Sequence, residues 1–310
     1  MSKVDEAWLE FSRNENLRDA DPRRLRRAAE QGRLIRIHRG AFLEPARLVG
    51  LTAEERYAYL VLGAAGAART RPIVSHLSAA VLWGAPLIGP TPTLVHVLVT
   101  TAAGTRTEHG FRKHASPVLD RGHEVRGEVR LTSLTRTLAE TAADSPFVAA
   151  VGILDWALSH HDITKVDILT ALDEYAVGRG RRRAERVVSF ADGRAGSVGE
   201  SLSRVRIHEA GLPRPELQVP FFDSRGKIGV VDFWWPDHNL IGEFDGVAKY
   251  VREEFTGGRD VADVVINEKV REDRLRAVGP NVTRWGWSIA LSPFVLRAQL
   301  LQRGLPLTRA

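Results

Sequence analysis

The stretch GVVDFWWPDHNLIGEFDG, residues 229–246, limits the possible folds more than any other part of the chain. Two apolar runs flank Pro236-Asp237-His238-Asn239, a cluster of turn formers, so the stretch reads as a β-hairpin with a tight connection. With a symmetric turn, Trp235 faces Leu240, and counting outward places Asp232 opposite Glu243. Asp245, two residues past Glu243, points to the same face. Three carboxylates on one face of an apolar hairpin repel one another. Two arrangements relieve this: one carboxyl keeps a proton, its pKa raised by its neighbours, or a hard divalent cation, Mg2+ (or Mn2+), sits among the oxygens. An edge hairpin with its register shifted by one residue and its acids in water is the alternative that needs neither.

The 310 residues allow two or three domains, and 44% apolar content suffices for real cores. The absence of cysteine excludes disulfides, thiolate zinc sites and cysteine nucleophiles. The polar start MSKVDEAWLEFSRNENLRD has no signal-peptide core, and no run is long enough to span a membrane, so a cytoplasmic protein without a membrane partner is expected. A formal charge of +6 and a pI near 9.9 favour a polyanionic partner, most simply DNA.

Residues 1–50 read as a basic module. Asp21-Pro22 is a helix start, and the helix carries Arg23, Arg24, Arg26 and Arg27 before Gly32 stops it. RLIRIHRGAFL then alternates like a two-stranded ribbon turning at Arg39-Gly40, with Arg33, Arg36 and Arg39 on it. This is the order of a winged helix-turn-helix, in which a helix enters the major groove and basic side chains track phosphates. A small basic cap with solvated arginines explains the same residues.

Residues 51–176 read as a middle α/β domain: helices at TAEERYAYLVLGAAGAA, SHLSAAVLWG, TSLTRTLAETAA and FVAAVGILDWAL, with short strands from LVHVLVT to about Leu131. Thr135 and Arg136 sit at a helix start, where a phosphate site, or a cap and a surface charge, account for them equally well. His76, His96, His109, His114 and His123 show no metal-ligand spacing and read as ordinary residues. Residues 177–195, rich in Gly and Arg, read as a basic helix and linker. From 196 to 310 the order is helix, three strands, helix, strand, a sandwich on a small mixed sheet. The fold class is therefore α/β of the α+β kind.

GESLSR, VVDFWWP, IGEFDGVAKY, EKVREDRLRAVG and VTRWGW together resemble the nuclease-fold domain related to very-short-patch-repair endonucleases, in the PD-(D/E)xK superfamily with its restriction-endonuclease-like fold. The likeness covers about residues 196–290. The front, RRLRRAAEQGRLIRIHRGAFL with SHLSAAVLWG and LTSLTRTLAE, resembles AbiEi-type antitoxin regulators. The first resemblance implies metal ligation by Asp232 and Glu243, completed by Glu200 from the helix and accompanied by Asp245. The superfamily's lysine, two positions after Glu243, is replaced by Asp245; Lys249 is the nearest substitute, and Arg271 and Arg274 on the next helix would contact the nucleic-acid strand. Glu200 also fits a capping box that returns to Ser197.

Two functions follow as expectations. One is a Mg2+-dependent DNA endonuclease with catalytic Asp232, Glu243, Asp245, Lys249 and Glu200, guided by the winged helix. The other is an antitoxin-type repressor whose nuclease-fold domain binds without cutting and whose partner is a cognate toxin protein.

Overall fold

The structure, a computed structural model, describes residues 4–12, 22–246 and 261–308. Asp21, the expected N-cap, and Lys249 lie outside the described residues. The fold is mixed α+β, as expected, and the chain divides into two compact units, Met1–Ala191 and Asp192–Ala310. No described helix is long and apolar enough to cross a membrane.

The first unit opens with β1 (Glu10–Phe11), α1 (Pro22–Glu30), β2 (Ile35–His38) and β3 (Ala41–Leu43). These strands form a three-stranded sheet in the order β1-β3-β2. Gly40, at φ +88, turns the ribbon between β2 and β3 at the expected place. Leu25 and Ala28 of α1 pack on Leu34 and Phe42, while the arginines of α1 face outward.

Helix α2 (Ala53–Ala67) starts with a complete capping box between Thr52 and Glu55. Then come β4 (Ile73–Val74), α3 (His76–Trp83), β5 (Val95–Thr100), β6 (Arg106–Glu108), β7 (Phe111–Ser116), β8 (His123–Arg126) and β9 (Val129–Thr132). The six strands make one mixed sheet in the order β6-β7-β5-β4-β9-β8. Four helices follow: α4 (Leu134–Asp144), α5 (Phe147–His160), α6 (Lys165–Glu174) and α7 (Arg181–Phe190). Helix α4 packs against α3, α5, α6 and α7, which is why its polar residues Arg136, Thr137 and Glu140 are buried along with Leu138 and Ala142. The stretch read as a basic helix and linker is a packed helix: Ala184, Val187 and Val188 of α7 are buried.

The second unit contains α8 (Val198–Glu209), β10 (Glu216–Asp223), β11 (Gly226–Trp235), β12 (Leu240–Phe244), α9 (Val261–Ala277), β13 (Asn281–Trp285), α10 (Trp287–Ala290) and α11 (Pro293–Gln302). Its sheet runs β10-β11-β12-β13, antiparallel except for the parallel β12–β13 pair. Trp235 and Trp285 are buried, and their indole N–H groups donate to Pro213 O and Ser203 Oγ, both at 2.8 Å. Gly242 lets the two rings close over β12: a Cβ there would stand 2.5 Å from the Trp285 ring and 3.0 Å from that of Trp235. Each ring is tethered by its hydrogen bond. Gly242→Ala is therefore expected to cost about 3 kcal/mol, read as a lower urea midpoint followed by tryptophan fluorescence.

Candidate functional site

In the second unit the symmetric hairpin is present. Trp235 pairs with Leu240 and Phe233 with Gly242, so one further step sets Asp232 opposite Glu243. On the other side of β11, Leu217 pairs with Phe233 and Val219 with Val231, leaving Gln218 opposite Asp232. The backbone of Gln218 is left-handed, at φ +54, a conformation that costs on the order of 1 kcal/mol at a non-glycine residue. Its Nε2 donates both to Asp232 Oδ1 at 3.2 Å and to Glu200 Oε2 at 2.8 Å. One amide thus links two carboxylates from β11 and α8. A lone polar residue in the apolar run LQVPFF was the only sequence signal for it.

Glu200 is 8% exposed. Its backbone N–H donates to Ser197 Oγ, and its carboxylate accepts from Gly196 N at 2.8 Å rather than closing a box onto Ser197. Asp232 Oδ2 accepts from Phe244 N at 2.8 Å. Burial, then the nearby Glu200 charge, push the Asp232 carboxyl up to about 7, against the opposing pull of the Phe244 N–H; Glu243 adds to the rise.

Glu243 is differently engaged. Arg271 of α9 donates to Oε1 at 2.5 Å and Oε2 at 3.3 Å, and also to Val230 O at 2.9 Å. Arg284, its partner in the parallel register of β12 and β13, reaches Oε2 at 2.9 Å. Gly229 makes room for the Arg271 stem, since a Cβ there would lie 2.7 Å from Arg271 Nε.

The remaining expected residues are placed as follows. Asp245 is exposed just past the end of β12 at Phe244, and its backbone N–H donates to Trp285 O at 2.8 Å. Among the described residues, Glu200, Asp232, Glu243 and Asp245 supply no group of three oxygens all within 4.8 Å of one another. Arg271 and Arg274 are both paired with acids of the chain. Arg271 neutralises Glu243, and Arg274 grips Asp223 through both oxygens, at 2.7 and 2.8 Å, holding that carboxyl well below the usual range.

In the first unit, Arg23, Arg24, Arg26, Arg27, Arg33, Arg36 and Arg39 are all exposed. Arg26, Arg36, Arg39 and Arg69 line a depression of about 930 Å³, with His38, His109 and one acid, Glu30, also on its wall.

The histidines read as ordinary are not all so. His76, His96 and His114 are buried, each offering a ring nitrogen within 4.8 Å of the others. His96 on β5 and His114 on β7 lie on one face of a parallel pair, Nδ1 of the first 3.1 Å from Nε2 of the second. His76, at φ +51, opens α3 and stacks on His114 with ring centres 3.6 Å apart. Burial lowers His96 to about 3 and His114 to about 4, and holds His76 well below its ordinary value, so all three are neutral near pH 7. Beside them Glu140, 5% exposed in its side chain, places Oε2 3.5 Å from His76 Nδ1 and Oε1 2.8 Å from Arg136 Nε. Arg136 is not a surface charge. It is fully buried and donates further to Arg121 O, Ser116 Oγ and Val118 O.

No family model matches the chain. Two curated proteins of Mycobacterium tuberculosis are similar to part of it: the uncharacterized protein MT2308 of strain CDC 1551 / Oshkosh and the uncharacterized protein Rv2248 of strain ATCC 25618 / H37Rv. Each is 37% identical over 111 residues, which is 36% of this chain and 41% of the relative. The chain thus spans less than half the length of the curated relatives it matches.

Proposed function

We propose that this chain is a DNA-binding protein whose second unit, of the PD-(D/E)xK kind, holds Mg2+ or Mn2+ and hydrolyses phosphodiesters. The observation that carries this reading is the Glu200–Gln218–Asp232 linkage, two carboxylates sharing one amide donor, where burial and then the Glu200 charge raise the Asp232 carboxyl to about 7. Mg2+ is commonly held by one or two carboxylates plus water and substrate phosphate, so this donor pair fits the ion. Bound there, the ion supplies Lewis acidity and a water of lowered pKa. Glu200 and Asp232 hold it, and Gln218 sets their separation. Arg271 and Arg284 cancel the charge of Glu243, which lowers the repulsion a phosphate would meet. The arginines of α1 and the β2–β3 ribbon track the DNA backbone.

A second reading, an AbiEi-type repressor that binds DNA without cutting and answers to a cognate toxin, has its own support. Asp245 occupies the position of the superfamily's lysine, and two guanidinium groups already engage Glu243.

Incubation of the chain with supercoiled plasmid in Mg2+, Mn2+ or EDTA separates the two. Metal-dependent nicking is expected, reduced on the order of 100-fold or more in Asp232→Asn and in Glu200→Gln. Nicking undiminished in both variants removes this site. Absence of nicking, with salt-dependent binding lost when Arg23, Arg24, Arg26 and Arg27 are neutralised, selects the repressor.

A further inference from the structure

The histidine cluster lies in the first unit and plays no part in the proposed phosphodiester chemistry. We infer that His76, His96 and His114 form a binding site for a divalent late transition metal ion of the Zn2+ type, oriented by Glu140 and Arg136.

The geometry supplies the argument. Two nitrogens at about 2.0–2.1 Å from a tetrahedral zinc ion stand about 3.3 Å apart. His96 Nδ1 and His114 Nε2 are separated by 3.1 Å, so a modest opening admits the ion between them. His76 presents the third ring within the same 4.8 Å group. Imidazole donors with no thiolate suit Zn2+, Ni2+ and Cu2+ and suit Mg2+ poorly, which sets this site apart from the carboxylate pair of the second unit.

The surroundings have the form that metal histidines require. A ligating histidine usually gives its other ring N–H to a carboxylate, which fixes the ring and its tautomer. Glu140 Oε2 is buried and lies 3.5 Å from His76 Nδ1, and that nitrogen is already hydrogen-bonded to Ser75 Oγ at 2.9 Å, so these two oxygens fix the ring and leave Nε2 of His76 for the ion. Arg136 holds the other Glu140 oxygen and is itself anchored by three further acceptors. The strands are held as rigidly. Ser75 N–H donates to His96 O at 3.0 Å, and His96 N–H donates to Ser78 Oγ at 2.8 Å, which in turn meets Tyr57 Oη at 2.6 Å. Three buried histidines whose ring nitrogens converge, beside a buried carboxylate, are a costly way to fill space and a suitable one to hold a cation.

The test uses the full chain, stripped with EDTA and titrated with Zn2+ by calorimetry, and with Co2+ by visible absorption. One Zn2+ per chain is expected, weakened on the order of 100-fold or more by His96→Gln or His114→Gln and about 10- to 100-fold by Glu140→Gln. The Glu200→Gln/Asp232→Asn double variant is expected to retain the site, which separates it from ion binding in the second unit. Absence of binding, or binding unchanged in His96→Gln, overturns the proposal. The Co2+ complex of the unaltered chain decides independently of whether the histidine variants fold: tetrahedral nitrogen ligation gives intense visible bands, and their absence also overturns it.

Discussion

Asp232→Asn is expected to stabilise the second unit, by about 2 kcal/mol more at pH 8 than at pH 5. The Asp232 carboxyl titrates near 7 in the folded chain, against about 3.9 in an unfolded one. A group with a raised folded pKa contributes stability that is present below about pH 4 and lost as pH rises to about 7. Between those limits the folded chain holds a proton that the unfolded chain has released. The full loss, at about 1.4 kcal/mol per pH unit, would reach about 4 kcal/mol, and partial solvent access at this half-buried residue reduces it. Asparagine is uncharged at every pH: its carbonyl keeps the bond from Phe244 N, its amide gives up the longer bond from Gln218 Nε2, and no charge opposes Glu200 and Glu243. Urea unfolding at both pH values reads the difference, and millimolar Mg2+ should narrow it by stabilising the unaltered chain. A variant less stable than its parent at pH 8 would make Asp232 a structural acid and remove the driving force for cation binding.

Arg136→Met is expected to destabilise the first unit by about 4 kcal/mol, because it leaves Glu140 buried without its counter-charge. Burial already raises the Glu140 carboxyl, and Arg136 is the largest opposing influence. Without the guanidinium, the carboxyl is raised further, folding retains a proton over a wider range, and the deficit grows with pH. Arg136→Met/Glu140→Gln should recover much of the loss, since a buried amide carries no unpaired charge. Thermal unfolding of the parent, both single variants and the double variant gives the coupling. A cycle that closes to zero would mean that Arg136 acts through its bonds to Ser116, Val118 and Arg121 alone.

The hairpin was legible because two apolar runs meet at Pro236-Asp237-His238-Asn239, and a period of two then fixes which residues share a face. Asp245 falls just past the last strand pair, Phe244 with Trp285, where a period of two no longer applies. The roles of Arg271 and Arg274 depend on how α9 lies against β11, which local spacing does not encode. Gln218 was hidden for a related reason: its inward turn rests on a left-handed backbone that glutamine does not announce. The histidines were illegible because the parallel pairing of β5 and β7 joins His96 to His114, and parallel pairs have no turn between them to read. The burial of Arg136 was not legible, since a helix start in sequence suits a phosphate site or a surface charge equally, whereas α4 is enclosed by other helices.

The first unit also has a continuous interior across the position where sequence punctuation suggested a boundary, near residue 50. Leu9 and Leu43 belong to the same buried cluster as Tyr57, Val61, Val95 and Leu131, and the Glu6 carboxylate accepts from the Glu128 backbone at 3.2 Å. The β1–β3 sheet of the basic front is therefore expected to melt and form together with the six-stranded sheet, whereas Leu25 and Ala28 anchor the arginine-bearing α1 to Leu34 and Phe42 in a smaller cluster of its own.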